Sequence, residues 1–508
     1  LDARAKDEVR DPHGNRIGTV DDVNYAAGTI DIKKRKDTAD LHPTNVVLFN
    51  RVGAEALRAA LIRLGRAVMA NGFAPADPYR AALHLLLRKP PALADGGPLH
   101  RGDETTAQAA CRLALQLDGG VLAIQGPPGT GKTYTGGQMI CALWNAGKKV
   151  GVTAVSHKVI INLIEAAVAA AKRQGLALRA VHKHDGQYAG QQDIQFLNNY
   201  DKILDALGGG RIDVLGGTAW QWAKPEFEQS VDVLIVDEAG QMALSNVLAV
   251  AAAGRSLVLL GDPQQLEQPL QSSHPEGSEV SALYHLLDGE ETMPADKGLF
   301  LDQTYRLHPE IARFTSETYY EGRVLARPEL AHQAILPDPA EACRFTGSGL
   351  RYVAVPHNGN QARSREEVEM IRDIVGELLS GARWRDKDQQ VSPLTEGDIL
   401  IVAPYNAQVS ALIEGLPALK ERIGTVDRFQ GQEAPVVIYS MTSSSPEEAP
   451  RGMEFLYNRH RFNVATSRAR ALCILVGSPA LFAPDCKTPR QMKMANAFCR
   501  YLELAQQV

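Results

Sequence analysis

The stretch VLAIQGPPGTGKT, residues 121–133, constrains the fold and chemistry of this chain more than any other. Val121 to Ile124 form an apolar run typical of a buried parallel strand. A turn rich in glycine and proline follows, and Lys132 and Thr133 then open a helix. This is the strand–GxxxxGK[ST]–helix pattern of the P-loop, so we predict that the chain binds a nucleoside triphosphate.

The residue types of this motif suit a phosphate. Gly126, Gly129 and Gly131 let the backbone curl until its N–H groups point at one phosphate, and the new helix offers its positive end. We expect Lys132 to reach the β- and γ-phosphates and the Thr133 hydroxyl to bind Mg²⁺. The predicted nucleotide contacts of this segment are Gly126, Pro127, Pro128, Gly129, Thr130, Gly131, Lys132, Thr133 and Tyr134.

Two other apolar runs end in polar residues. VDVLIVDEAGQ (231–241) ends in Asp237, predicted to hold the Mg²⁺ shell, and Glu238, predicted to polarise the attacking water. LVLLGDPQQL (257–266) places Gln265 to sense the γ-phosphate. Strands that end in polar loops at one edge predict an α/β fold, a doubly wound parallel sheet with its ligand at the carboxyl ends. By contrast, residues 165–215 suggest only an Ala-rich helix and a polar loop.

Further candidates flank this first half. Gln108, just upstream of the P-loop strand, could pair both hydrogen-bonding edges of adenine, although a surface helix position explains it too. EGDILIVAPYNAQVSALIEGL (396–416) repeats the strand–turn–helix order in a second half that has no GK[ST] of its own. That half supplies Arg306 and Arg468. A guanidinium stays charged, so we predict that both arginines stabilise the γ-phosphate from a second sheet domain.

The N-terminal segment GNRIGTVDDVNYAAGTIDIKKRK (14–36) alternates apolar and polar residues, which predicts a hairpin of a small β-barrel. Its basic run suits phosphate contact, and a solvated edge strand explains it equally well. Helical spacing follows at 51–69 and 79–88, and ALADGGP (92–98) marks a boundary. The predicted domains are 1–98, the barrel with a helical stalk; 99–297, the sheet with the P-loop; and 298–508, the sheet with the arginines.

Composition narrows the setting. A net charge of −5 excludes a uniformly basic nucleic-acid wrapper but allows a local basic groove. The 6 cysteines are scattered without a CxxC pair, which predicts no zinc or iron–sulfur site and a reducing, cytoplasmic setting. No apolar run is long enough to span a membrane, so no membrane partner is expected. Since the chain begins with Leu1, we expect a piece of a longer protein.

The order of these motifs resembles superfamily 1 helicases, specifically the 1B branch with the nonsense-mediated-decay RNA helicase and the eukaryotic nuclease-helicase. Segment 272–309 is similar to bacterial helicases fused to a RecB-like nuclease domain. The matching motifs are Gln108, GPPGTGKT (126–133), SHK (156–158), GGTAW (216–220), DEAGQ (237–241), GDPQQL (261–266), QTYRLHP (303–309), APYNAQ (403–408), TVDRFQGQE (425–433) and NVATSRAR (463–470).

The resemblance implies two RecA-like domains in tandem that bind ATP and Mg²⁺ between them. It implies that Tyr305 stacks on adenine, that Glu433 holds the ribose and that Arg306 and Arg468 contact the γ-phosphate. The implied channel residues are Thr218, Pro404, Tyr405, Thr425 and Phe429. The implied function is an ATP-dependent 5′→3′ helicase on single-stranded nucleic acid, with any nuclease domain before Leu1. DNA is favoured over RNA as the substrate, although no motif specifies a contact to the 2′-OH.

A function from another class stays open. An ATP-gated clamp or remodelling factor would bind nucleic acid through the same motifs without separating strands. A GTPase is disfavoured because the chain has no NKxD-type base reader. A transporter ATPase is disfavoured because TGGQ (135–138) lies inside the P-loop helix rather than in a separate signature.

Overall fold

The structure, a computed structural model, describes residues 3, 5–24, 28–49, 53–74, 77–184, 186, 193–268, 275, 277–338 and 343–508. The turn of the predicted hairpin (25–27) and part of the segment similar to nuclease-fused helicases (272–274 and 276) lie outside these residues. The chain forms two compact units, Leu1–Glu55 and Ala56–Val508.

The first unit contains a 4-stranded antiparallel sheet in the order β3-β2-β1-β4. Its strands are β1 (Glu8–Arg10), β2 (Arg16–Asn24), β3 (Thr29–Lys34) and β4 (Val47–Phe49). The alternation of apolar residues places Val9, Ile17 and Val20 in a small core. Strands β2 and β3 form the predicted hairpin. Because β3 and β4 are the edges of the sheet in the described residues, its closure into a barrel stays a prediction.

The second unit opens with the two predicted helices, α1 (Glu55–Asn71) and α2 (Arg80–Leu86). The apolar stripe of α1 buries Leu57, Ala60 and Leu64 in the core that also lies beneath the P-loop sheet.

An 8-stranded parallel sheet follows, in the order β12-β5-β11-β10-β6-β9-β7-β8. Its strands are β5 (Val121–Gln125), β6 (Val150–Thr153), β7 (Ala180–Lys183), β8 (Ile194–Leu197), β9 (Val214–Gly216), β10 (Val231–Val236), β11 (Gly254–Gly261) and β12 (Gly298–Phe300). The helices are α3 (Thr106–Gln116), α4 (Lys132–Asn145), α5 (His157–Arg173), α6 (Tyr200–Gly208), α7 (Ala219–Trp222), α8 (Leu244–Val250) and α9 (Ala282–Leu287).

The expectation of only a helix and a polar loop over 165–215 was wrong. Strands β7 and β8 and helix α6 lie there and widen the sheet. These strands are short, and polar residues interrupt their apolar pattern. His182 of β7 is one example, since its side chain is fully buried although histidine is polar.

A second parallel sheet has 6 strands in the order β20-β19-β21-β22-β16-β23. The remaining strands are β13 (Gln303–Thr304), β14 (Leu325–Ala326), β15 (Ala334–Leu336), β16 (Gly349–Ala354), β17 (Arg383–Arg385), β18 (Val391–Pro393), β19 (Ile399–Val402), β20 (Ile423–Gly424), β21 (Ala434–Ser440), β22 (Ala469–Gly477) and β23 (Gln506–Gln507). The remaining helices are α10 (Pro309–Tyr319), α11 (Arg365–Leu379), α12 (Asn406–Gly415), α13 (Met453–Leu456), α14 (Arg459–Thr466) and α15 (Pro489–Leu504).

Two parallel sheets with crossover helices confirm the predicted tandem of RecA-like domains. The central strands β5, β10, β11 and β21 are almost entirely buried, as expected for strands covered on both faces. Strand β12 belongs to the first sheet, so that sheet extends to Phe300; the predicted domain boundaries stay predictions. Among the described residues, no helix combines the length and the apolar character needed to cross a bilayer.

Candidate nucleotide-binding site

The P-loop connects β5 to α4 as predicted. Gly129 and Gly131 have φ angles of +73° and +83°, a left-handed conformation that glycine adopts readily. The Lys132 ammonium donates to the Gly126 carbonyl at 2.5 Å and thus lies folded over the loop. The loop therefore combines two glycines in the left-handed conformation, a helix N-terminus and one ammonium group, a combination typical of phosphate binding.

Two adjacent carboxylates follow β10. Asp237 is buried, and its Oδ1 accepts the Glu238 backbone N–H at 2.9 Å. Burial, together with the neighbouring Glu238 charge, raises the pKa of Asp237, whereas Lys132 opposes that rise. Glu238 has a φ of +52°, a strained value for a residue other than glycine and one typical of functional sites.

This donor set fits Mg²⁺. A buried carboxylate whose pKa is raised by a second carboxylate is stabilised in its charged form by a nearby divalent cation. Mg²⁺ prefers oxygen ligands from carboxylates and hydroxyls. Asp237 would supply the first of these, and the exposed Thr133 in the first turn of α4 would supply the second.

Arg306 lies against the P-loop. A Cβ built on Gly129 would come within 2.5 Å of the Arg306 Cβ. The preceding residues fix this position, because the Tyr305 N–H donates to the Gly129 carbonyl at 2.8 Å and the Thr304 hydroxyl donates to the Pro128 carbonyl at 3.1 Å. The Arg306 guanidinium forms an ion pair with Glu433, which precedes β21 of the second sheet.

Arg468, which directly precedes β22 of the second sheet, contacts a loop of the first sheet. Its side chain is 3% exposed, and its Nη2 donates to Oε1 of Gln265, in the loop after β11, at 3.3 Å. Burial and the neighbouring Arg306 lower the pKa of Arg468 to about 9, so the guanidinium is charged at neutral pH. The negative charges of Glu238 and Glu433 oppose this lowering of the Arg468 pKa.

A cavity of about 1080 Å³ adjoins the P-loop. Its lining includes Gln108, Gly131, Tyr134, Tyr305 and Arg327. The Tyr305 side chain is exposed, and the Arg327 guanidinium lies 5.0 Å from its ring centroid. The cavity therefore offers a flat aromatic surface beside the phosphate loop, which suits a nucleobase. Sequence reasoning missed Arg327, because nothing in its local sequence marks it.

Gln108 lines this cavity but also caps α3. Its Oε1 accepts hydrogen bonds from the Thr105 backbone N–H at 2.8 Å and from the Thr105 hydroxyl at 2.9 Å. Because a backbone N–H can only donate, Oε1 must face Thr105, and the amide NH₂ group is the part that a base can meet. The geometry thus shows a helix-capping role for Gln108 and is compatible with a contact between its amide NH₂ group and a base.

The predicted channel residues differ in exposure. Thr218 and Thr425 are partly exposed, whereas Phe429 is 1% exposed and packs in the core. The prediction that Phe429 lines a single-strand channel was therefore wrong, since its side chain is buried in the hydrophobic core. The ring of Tyr405 is also buried, at 7% exposure, and lies beside Phe455.

The chain matches two family models and several known helicases. Two family models, each described as an AAA domain, match residues 105–274 and 279–480. The DNA replication ATP-dependent helicase/nuclease JHS1 of Arabidopsis thaliana is 24% identical over 380 residues, which are 70% of this chain and 27% of that protein. The DNA polymerase alpha-associated DNA helicase A of Schizosaccharomyces pombe is 30% identical over 263 residues, 49% of this chain and 37% of that protein.

DNA-binding protein SMUBP-2 of Mesocricetus auratus is 25% identical over 417 residues, 69% of this chain and 40% of that protein. The chain thus spans well under half of the length of these relatives. The two family models match consecutive segments that together include most strands of both sheets. Two of the relatives are named as helicases, and SMUBP-2 aligns over most of the chain. The chain belongs to the superfamily 1 helicases, a family of ATP-dependent enzymes that act on nucleic acids.

Proposed function

We propose that this chain hydrolyses ATP between its two parallel sheets and uses that cycle to move 5′→3′ along single-stranded nucleic acid, with DNA preferred to RNA. One observation carries the proposal: Arg306 and Arg468, both outside the P-loop sheet, lie against the P-loop and against Gln265. One chain therefore contributes both the phosphate cradle and the positive charge opposite it. We also propose the division into 1–98, 99–297 and 298–508, except that β12 (Gly298–Phe300) is grouped with the P-loop sheet that it pairs with.

The side chains divide the chemistry among them. Lys132 and the loop N–H groups hold the β- and γ-phosphates, and Tyr305 and Gln108 hold the base. Mg²⁺ bound by Thr133 and Asp237 would neutralise charge on the phosphate oxygens. Glu238 polarises the attacking water, and the Gln265 side chain senses the γ-phosphate.

The arginines stabilise the charge that develops on the γ-phosphate. Arg306 and Glu433 are paired with each other, so contact of Arg306 with the phosphate and of Glu433 with the ribose requires that pair to open. The arginine of this ion pair lies against the P-loop and its glutamate precedes β21, so opening of the pair would link nucleotide binding to movement of one sheet against the other.

The direction of movement is tested with duplexes that carry either a 5′ or a 3′ single-stranded tail, and the preference for DNA is tested by ATPase stimulation. We expect ATP-dependent strand separation from the 5′-tailed duplex only. Single-stranded DNA should raise the ATPase rate more than RNA of equal length and sequence. The names of the relatives above, a DNA replication helicase/nuclease and a DNA helicase, support DNA as the track.

The main alternative is an ATP-gated clamp or remodelling factor. Such a protein would bind single strands in an ATP-dependent way and separate neither duplex. If RNA stimulates the ATPase rate more than DNA does, the proposed movement along a single strand stands, but the preferred nucleic acid is RNA.

Gln108→Ala is expected to raise KM for ATP about tenfold while kcat changes little, because a base contact formed equally in the ground and transition states affects binding alone. The same variant should raise KM for GTP to a similar degree, since an amide NH₂ can donate to N7 of either purine. Thr105→Ala is the matched control, because it removes the capping hydroxyl while the backbone N–H of residue 105 still donates to the Gln108 amide oxygen. If Gln108 only caps α3, both variants will lower Tm and neither will change KM.

A further inference from the structure

A buried hydroxyl group lies between the two sheets, next to the predicted phosphate contacts. Tyr320 directly follows α10 and is fully buried. Its hydroxyl donates to Oδ2 of Asp262 at 2.6 Å, in the loop after β11 of the first sheet. It also accepts from Nδ2 of Asn463 at 2.8 Å, in helix α14 of the second half. One phenol thus connects the two halves of the chain.

The same atoms extend to Gln265 and Arg468. Oδ2 of Asp262 also accepts from Nε2 of Gln265 at 2.7 Å, which leaves Oε1 of Gln265 facing Arg468 at 3.3 Å. Arg468 follows α14, the helix that carries Asn463. The hydrogen bonds therefore run from Asn463 through Tyr320, Asp262 and Gln265 to Arg468, and the backbone of α14 closes the ring.

A second contact holds α14 against the same loop, because Asn463 Nδ2 also donates to the Gln264 carbonyl at 2.8 Å. Asp262, Gln265 and Asn463 are each at most 5% exposed. In such a setting water cannot replace a lost partner, and hydrogen bonds to a carboxylate are among the stronger ones. Burial, and then the nearby Asp262 charge, raises the pKa of Tyr320, so the hydroxyl keeps its proton and can donate.

We propose that Tyr320 is a positioning residue that couples the loop of Gln265 to the helix preceding Arg468, so that both groups reach the γ-phosphate together. Tyr320 itself contacts no nucleotide in this account. The proposal rests on the proposed function, because the positions of Gln265 and Arg468 affect a rate only if this cleft hydrolyses ATP.

The chain offers a matched control in the adjacent residue. Tyr319 is also fully buried, and its hydroxyl has no hydrogen-bond partner within the described part of the chain. Tyr319→Phe and Tyr320→Phe each remove one buried oxygen and keep the ring. Only the second breaks the connection between Asp262 and Asn463.

The test measures nucleic-acid-stimulated ATPase kinetics of both variants and of the unaltered chain. We expect Tyr320→Phe to lower kcat about tenfold with KM for ATP changed less than about twofold, the pattern of an interaction that matters in the transition state. Tyr319→Phe should keep the kcat of the unaltered chain. A kcat that is unchanged in Tyr320→Phe, or lowered equally in both variants, would overturn the proposal, whatever happens to Tm.

Hydrogen exchange separates this proposal from the proposed function. Without nucleotide, the amides of residues 261–266 should exchange at least about tenfold faster in Tyr320→Phe than in Tyr319→Phe, because the loop loses its link to α14. Equal exchange in the two variants would overturn the coupling even if the chain is an ATPase. Absence of ATPase activity in the unaltered chain would instead refute the proposed function, and exchange would still decide whether Tyr320 holds the loop.

Discussion

Replacing Lys132 with alanine is expected to reduce ATP hydrolysis to background, a loss on the order of 10³-fold or more. Lys132 begins α4, and its ammonium lies over the loop at the Gly126 carbonyl. Without it, the loop keeps its N–H groups but loses the point charge that balances the β- and γ-phosphates. Phosphate release in the presence of single-stranded DNA measures the rate.

Binding of single-stranded DNA should survive in Lys132→Ala, since the track is proposed to contact other loops. Fluorescence anisotropy of a labelled oligonucleotide measures this directly. Lys148→Ala serves as the control, because Lys148 is an exposed lysine beyond the end of the same helix and its removal changes the net charge equally. Undiminished turnover in Lys132→Ala would overturn the assignment of the site.

Arg468→Ala is expected to slow turnover at least about 100-fold with ATP affinity nearly intact, within the range for arginines that stabilise phosphoryl transfer. Its guanidinium is buried and charged, and it contacts Gln265 across the sheets. A charge held in this place acts mostly on the transition state, in which negative charge grows on the γ-phosphate. Measurement of kcat together with the dissociation constant for ATP separates the two effects.

Arg470→Ala is the matched control for Arg468. The Arg470 guanidinium lies 5.2 Å from the ring centroid of Trp384, and its Nε donates to Gln333 at 3.3 Å. Arg470 also lies 3.9 Å from the carboxylate of Glu433, but among the described residues its guanidinium contacts only the second half and none of the loop after β11, so kcat should fall far less than in Arg468→Ala. If Arg468→Ala loses affinity and rate equally, Arg468 is a plain binding residue rather than a stabiliser of the transition state.

The parts of the site that sequence predicted well are local or follow from parallel-sheet geometry. Strand β5 and the start of α4 lie where the P-loop pattern placed them. The loops of Asp237 and Gln265 follow neighbouring strands β10 and β11, and the carboxyl ends of parallel strands meet at one edge. The cap between Thr105 and Gln108 is likewise a local pattern, a threonine followed three residues later by glutamine.

The parts that sequence missed depend on distant contacts. Tyr320 and Asn463 lie 143 positions apart in sequence. Asn463 begins the motif NVATSRAR, but nothing in that motif or around Tyr320 predicts a hydrogen bond between the two residues. Phe429 shows a related limit, because an aromatic residue beside a polar loop can face a channel or the core, and only packing decides. Strands β7 and β8 were missed because each has four residues and lacks a long apolar run.

We propose that the P-loop of the first sheet and the arginines of the second half contact the same nucleotide. A structure of the chain with ADP, Mg²⁺ and tetrafluoroaluminate tests it most directly. We predict the fluoroaluminate beside Lys132, with the guanidinium groups of Arg306 and Arg468 within hydrogen-bond distance of its fluorine atoms. A nucleotide bound elsewhere, or a nucleotide at the P-loop whose fluoroaluminate lies beyond hydrogen-bond distance of both Arg306 and Arg468, would contradict this arrangement.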